Sequence, residues 1–333
     1  VGDRHQLLGR GVGDRAEARS RAAGENESYE GLHQTLQPYF LWIDAVKTVV
    51  YIPNFNGERW LPRTLQSLRA QTERLDVVVV DNGSTDDSAA AARVDFPEVT
   101  VLELGENLGF GPALNRAVAT HPADAIALLN SDVECEPGFC AALTARLGEG
   151  VAMVAGVLLQ EREPGTIDSA GVVADHTLMG FDYLHGEPVA AAATAPDPLG
   201  PTGGAALYRR EAWEAVGGFD ERIFLYYEDL DLALRIAARG GRCRLAGDAR
   251  AVHAYSAGLG AASGAKYART GWSRGYMLRR YRVMRDPRLA LRTLACEATI
   301  VAGQLLRDRT GQGLAGRMRG FRAGADLDPR EIG

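Results

Sequence analysis

An α/β fold, with a mostly parallel sheet covered by helices on both faces, is predicted by three observations. Strand-like and helix-like segments alternate along the chain; the strand-like ones are continuously apolar; and Gly, Pro, Asn or Asp punctuates the junctions. A strand packed on both faces has no solvent side and therefore does not alternate polar with apolar residues. The 333 residues suffice for one large or two modest domains. At 46% apolar and 24% charged the composition is that of a globular chain with a sizeable core.

Each element follows in order. "TVVYI" is a β-branched run closed by Pro53 and Gly57, a buried strand and its turn. "ERWLPRTLQSLRAQ" sets Trp60, Leu61, Leu65 and Leu68 at helical spacing. "LDVVVVDNGSTDD" is a second strand ending at Asp81, with Ser84 or Thr85 placed to cap an Ala-rich helix. "VTVLELG" is a third strand, "PALNRAVATH" a helix and "DAIALLNSD" a fourth strand. Residues 160–201, rich in Gly, Ala and Pro, read as a long excursion containing a hairpin. Its His176 and His185 read as surface residues, because their spacing is not that of metal ligands. A Gly-rich turn, a short strand and two helices follow, the second helix starting near Glu228. "ARAVHAYS" reads as an edge strand, and everything beyond His253 as helical and basic. Residues 1–30 are too polar to offset ordering entropy and are expected to be disordered, with a short helix over "LHQTLQPYFLWIDAV", residues 32–46.

Composition also excludes. A formal net charge of -6 argues against a dedicated nucleic-acid binder. Four cysteines without metal-type spacing read as thiols in a reducing compartment. There is no run of 18 apolar residues, so no spanning helix is expected. The first residues lack a signal-peptide core, and a cytoplasmic protein is expected.

In open parallel sheets, ligands bind beyond the carboxyl ends of the strands. Asn54 and Asn56, Asp81, Asn107, and Asn130 with Asp132 stand at four such ends. A carboxylate at a strand tip, as in "LLNSDVE", suits a hard divalent cation, Mg2+ or Mn2+. It also suits a turn that Asp132 caps before Pro137. Glu228, Asp229 and Asp231 crowd the first turn of a helix. They either complement its dipole or, by mutual repulsion, raise a carboxyl pKa toward that of a general base. His253 is a buried polar residue or an imidazole ligand.

Six stretches in this order, "VVYIPNFNGERWLPRTLQSLRAQ", "VVVVDNGSTDDS", "ENLGFGPALNRAV", "LLNSDVECEPGF", "GGAALYRREAWEAVGGFDERIFLYYEDLDLALRIAARGG" and "AVHAYS", resemble inverting glycosyltransferases of family 2, nearest to bacterial rhamnosyltransferase-like members. The resemblance spans roughly residues 46–256. It implies a GT-A fold, the Rossmann-like nucleotide-diphospho-sugar transferase sheet. Residues 46–135 would be the nucleotide-binding half, 136–256 the acceptor half and 257–333 a basic helical C-terminal extension, preceded by an extension over 1–45. It further implies that Pro53, Asn54 and Asn56 lie along the nucleotide, that Asp81 accepts from the base, and that Asn107 and Asn130 line the ribose side. Asp132 matches the last acid of the DXD motif and would bind Mg2+ or Mn2+, with His253 completing the metal site. Asp229 matches the catalytic base. Gly203, Gly204, Glu228 and Asp231 would surround the reacting sugars. Asn130 replaces the first DXD acid, leaving one fewer charge on the cation.

The implied reaction is transfer of one sugar, with rhamnose the nearest precedent, from a nucleotide-diphosphate donor to a glycan or polyprenyl-linked acceptor in cell-envelope synthesis. The Gln-x-x-Arg-Trp signature of processive synthases is missing after His253. A pyrophosphorylase or a dinucleotide oxidoreductase would need a Gly-rich loop after the first strand, which "PNFNGERW" lacks. A catalytically inactive scaffold of the same fold is the remaining alternative. Arg279, Arg280, Arg282 and Arg285 among Tyr276, Met277, Leu278 and Val283 suggest an interfacial helix within 265–310 at the inner face of the membrane. A solvated helical face or a homo-oligomer contact fits the same residues.

Overall fold

The apolar runs form one sheet because alternate residues of each find a separate core. In the computed structural model, which describes residues 46–254 and 263–330, β1 is Thr48–Asn54, β2 Asp76–Asp81 and β3 Thr100–Glu103. Val49 and Tyr51 of β1 join the core on one face, and Val50 and Ile52 join the other. Between these strands, α1 (Leu61–Arg69) covers one face with Leu61, Leu65 and Leu68, the spacing read from the sequence. The next helix, α2 (Ser88–Asp95), starts later than expected. Ser84 and Thr85 do not cap it, because both are engaged by Asn54 and Asn56 at the tip of β1. The opposite face is covered by α3 (Phe110–Thr120) through Ala113, Leu114, Ala117 and Val118.

The second half is mixed rather than parallel. It comprises β4 (Ala125–Leu129), β5 (Val133–Cys135), α4 (Phe139–Ala145), β6 (Val151–Gln160), β7 (Ile167–Ser169) and the hairpin of β8 (Val172–Ala174) with β9 (Gly180–Asp182). After these come β10 (Ala205–Arg209), α5 (Arg210–Val216), α6 (Glu228–Ala237) and β11 (Arg242–His253). The strand order is β3-β2-β1-β4-β10-β6-β11-β5, with β7 paired to β6. Strands β1 to β4 run parallel, while β10 returns from the long excursion antiparallel between β4 and β6. The strand ending at His253 is not an edge. Of its twelve residues, 242–245 and 250–253 pair with β6 on one side and 251–253 also pair with β5 on the other. The crevice falls where β1 and β4, neighbours in the sheet, send their connections to opposite sides.

Beyond the sheet stand α7 (Gly264–Arg280), α8 (Pro287–Leu306) and α9 (Gln312–Ala323). Tyr276, Met277, Leu278, Tyr281 and Val283 form a third core with Leu230 and Leu234 of α6. This corrects one part of the interfacial reading of that segment: its Tyr276, Met277, Leu278 and Val283 are packed inside. One helix bears on the expectation of no membrane span without overturning it. Helix α8 is 20 residues long and, despite Arg288, Arg292 and Glu297, apolar enough to cross a membrane by length and composition, while almost none of it is buried. The expectations for residues 1–45 lie outside the described residues.

Candidate active site

A cavity of about 570 Å3 opens beyond the carboxyl ends of β1, β2 and β4. Pro53, Asn54, Asn56, Asn107, Asn130 and Asp132, each singled out from the sequence, line it. Asn54 is fully buried, and its amide donates to Asp81 (3.2 Å) and to Ser88 (2.9 Å). Asn56 holds a positive φ of 56° and accepts from the Thr85 N–H at 2.8 Å, which fixes the turn after β1. Asp81 itself does not line the cavity. It is spent on Asn54 and the Ser84 N–H, and the wall position belongs to its neighbour Asn82. The Asn82 amide donates to Asn107 and to the Gly109 carbonyl, both at 3.1 Å, and its oxygen accepts from the Leu108 N–H, so it pins the 107–109 turn.

Sheet register builds the acidic side. Val133 of β5 pairs with His253 of β11, so Asp132, one residue earlier, meets the imidazole. His253 Nε2 lies 3.4 Å from Asp132 and its Nδ1 lies 2.7 Å from Asp168 of β7. All three side chains are largely shielded, at 10–15% exposure. Burial disfavours a His253 charge, but hydrogen bonds and charge from Asp132 and Asp168 outweigh it and raise the pKa to about 9. Once the Nε2 proton is displaced, as metal binding to an imidazole requires, the Asp132 oxygen and His253 Nε2, 3.4 Å apart at a cavity wall, fit neighbouring positions around one six-coordinate cation, whose ligands at about 2.1 Å lie roughly 3 Å from one another. No group of three or more acidic, His or Cys ligands occurs among the described residues.

The base candidate is carried by α6. Tyr226 and Tyr227, just before it, both have left-handed backbone (φ 70° and 69°), a strained conformation for bulky residues, and Tyr226 lines the cavity while Glu228 and Asp229 do not. Asp229 accepts from the Gly203 N–H at 3.4 Å. Gly203 packs on the Phe110 ring and Gly204 on the Asn130 amide, where a β-carbon would lie 2.9 and 3.1 Å from them. The two glycines thus bring the strip below Asp229 against the cavity wall. Burial, with the Asp182 charge, raises Asp229 to about 6 against the backbone bonds that lower it. Glu228 rises to about 8, through burial first and the Asp229 charge second, and its Oε2 has no hydrogen-bond partner among the described residues.

Asp231 is not part of this site. It is fully buried on the other side of α6, bonded to Arg235 (2.8 Å), to the Tyr281 hydroxyl (2.9 Å) and to Arg330. An acid two residues after Asp229 points about 200° around a helix from it, so the extension, not substrate, receives its carboxylate. Residues missed by sequence reading are Asp168, Asn82, Lys266 and Arg269. Lys266 and Arg269 of α7 line the cavity beside Tyr226 and Phe224, and the Arg269 guanidinium stacks 3.9 Å above the Phe224 ring. Their basic character was legible; their position was not. Asp168 sat in an excursion without a motif.

The profile of glycosyl transferase family 2 matches residues 49–217, half of the chain. The chain belongs to this family. Among curated relatives it is similar to the N-acetylglucosaminyl-diphospho-decaprenol L-rhamnosyltransferase of Mycobacterium tuberculosis, at 32% identity over 248 residues that cover 66% of this chain and 78% of the relative. Its fold is similar to that of a mannosyltransferase from Pyrobaculum calidifontis in complex with GDP-Man and Mn2+. The TM-score is 0.51 at 19% identity, covering 84% of this chain and 87% of that one. It is also similar to GalNAc-T7 with UDP, GalNAc and Mn2+, with a TM-score of 0.54 at 14% identity and coverage of 86% and 55%. As a family 2 member with a GT-A sheet and a helical C-terminal region, the protein is a nucleotide-sugar glycosyltransferase.

Proposed function

We propose that the enzyme inverts configuration while transferring one sugar, with rhamnose the leading candidate, from a nucleotide-diphosphate donor to a lipid-linked glycan at the inner face of the cell membrane. The approach of Asp132 to His253 on one wall, with Asp229 held next to Gly203 on the adjoining strip, carries this reading. Residues 46–135 hold the nucleotide and 136–256 present the acceptor. Asn54, Asn56, Asn107 and Asn130 orient the nucleoside, while Lys266 and Arg269 offer charge to the diphosphate. Asp132 and His253 would hold Mg2+ or Mn2+, which stabilises negative charge on the departing diphosphate. Asp229, ionised above about pH 6, takes the proton from the acceptor hydroxyl as it attacks the anomeric carbon. Glu228, whose pKa of about 8 keeps it neutral at pH 7, avoids a second charge beside that base.

A second cavity of about 450 Å3 shares Trp60 and His253 with the first and presents Arg59 and Arg162. It is the proposed acceptor entrance, where guanidinium groups meet the phosphates of a lipid-linked sugar. The deciding experiment is a thermal-shift panel of thymidine-, uridine- and guanosine-diphosphate sugars with Mn2+, Mg2+ or chelator. A metal-dependent shift with one nucleotide, lost in Asp132→Ala and kept in Asp229→Asn, is expected. Asp229→Asn abolishes transfer. No shift with any donor, or substantial transfer by Asp229→Asn, overturns the assignment.

A further inference from the structure

The outer surface of α8 and α9 is inverted relative to an ordinary solvent-facing helix pair. Thr293 and Glu297 of α8 face the protein, with Glu297 bonded to Arg274 (2.6 Å) and to Arg317. Leu291, Leu294, Leu305 and Leu306 face outward, Leu291 and Leu306 at 72% and 82% exposure. Helix α9 repeats the pattern for a backbone reason. Gly316 and Gly320 meet α7 so closely that a β-carbon would lie 2.3 and 1.8 Å from its carbonyl oxygens. That leaves Leu314, Met318 and Phe321 outside, with Arg319 and Arg322. Seven of the eleven exposed large apolar residues among the described residues lie on these two helices. Isolated exposed leucines need no explanation, but a concentration of this kind does.

Charge accompanies the apolar surface. From Lys266 to the end the chain carries 15 Lys and Arg against six Asp and Glu, whereas the preceding residues carry 22 against 37. Arg279, Arg282 and Arg285 converge on a cleft of about 230 Å3 that Phe321 and Met284 also line. Among the described residues no ion pair is made by any of the three.

We infer that the outer face of α8 and α9, with the arginine cleft beside Phe321, docks on an anionic phospholipid bilayer. The leucines enter the acyl boundary and the guanidinium groups take headgroup phosphates. A second copy is disfavoured by symmetry: a two-fold contact would set this arginine-rich patch against itself. A spanning role for α8 is disfavoured by Glu297, whose two arginine bonds tie one side of the helix to the protein. The inference stands on this surface alone and holds whatever the acceptor is.

The test is co-sedimentation of the full chain with vesicles of phosphatidylcholine, with and without about 30% phosphatidylglycerol. Variants are Leu291→Glu/Leu306→Glu and Arg279→Ala/Arg282→Ala/Arg285→Ala, each checked for folding by circular dichroism and for nucleotide binding. Binding to the anionic vesicles, reversed by high salt, is expected. The arginine triple weakens it roughly 100-fold, since each basic side chain near an anionic surface contributes about fivefold. No sedimentation of the wild type, or equal binding by the variants, overturns docking. A wild-type dimer split by the Leu variant, without vesicle binding, assigns the face to a second copy. Resistance to alkaline carbonate extraction would overturn it in favour of a span.

Discussion

Replacing Glu228 by Gln should stabilise the protein above neutrality and leave it nearly unchanged in acid. Glu228 is buried, its Oε2 lacks a hydrogen-bond partner among the described residues, and its pKa stands near 8 against an ordinary 4.5. Because the folded-state pKa is the higher one, the folded protein keeps a proton that the unfolded chain loses as pH rises from 4.5 to 8. Stability therefore falls across that window. At 1.36 kcal/mol per pH unit, the loss by pH 7 is on the order of 3 kcal/mol. Glutamine has nearly the same shape and carries no titrating proton, so the loss disappears. A chain of this size shifts Tm by about 2 °C for each kcal/mol, so Glu228→Gln should melt roughly 6 °C above wild type at pH 7–8 and within a degree or two at pH 4.5. Paired melting curves at the two pH values measure this directly. A Tm difference that is the same at both would refute it, because an effect independent of pH cannot arise from a displaced titration. A lower Tm for the variant at pH 8 would mean that Glu228 is ionised and partnered in the folded protein.

The rate law offers a related check. If Asp229 is the base, kcat/KM falls as pH drops through about 6, and an acid limb near 4 would exclude a buried, desolvated carboxyl from that role. Asp168→Asn should weaken Mn2+ binding in the presence of nucleotide by about 10- to 100-fold in calorimetry while sparing nucleotide binding in chelator, since Asp168 acts by holding the His253 ring. Unchanged Mn2+ affinity would make that contact merely structural. In the extension, Gly320→Ala forces a β-carbon to 1.8 Å from the Trp272 carbonyl and should cost at least 1–3 kcal/mol in urea unfolding. Gly303→Ala, with nothing within 4 Å of the added carbon, should instead gain up to about 1 kcal/mol; equal effects at the two sites would contradict the close packing of α7 on α9.

What the sequence by itself determined is local. Continuous apolar runs identify β1, β2 and β4 because both faces of those strands are packed, and the asparagines at their tips belong to the rim because a strand must end where its ligand begins. Asp132, Asp229 and His253 stood out as candidates because each is a titratable group beside an apolar run. Only the tertiary structure decided which acid meets which partner. Asp229 and Asp231 stand two residues apart in one cluster, yet the helix turns one toward Gly203 and the other into Arg235 and Arg330. Asp168, in an excursion without a motif, reaches His253 because β7 pairs with β6, and β6 with β11. Lys266 and Arg269 reach the cavity beyond β1, β2 and β4 from the extension, and the arginines expected to lie beside Tyr276 and Met277 on an interfacial face instead flank a packed core, leaving the apolar surface to α8 and α9. Spacing along a chain reports which face of one element a residue occupies; what that face meets depends on register and packing between elements far apart in sequence.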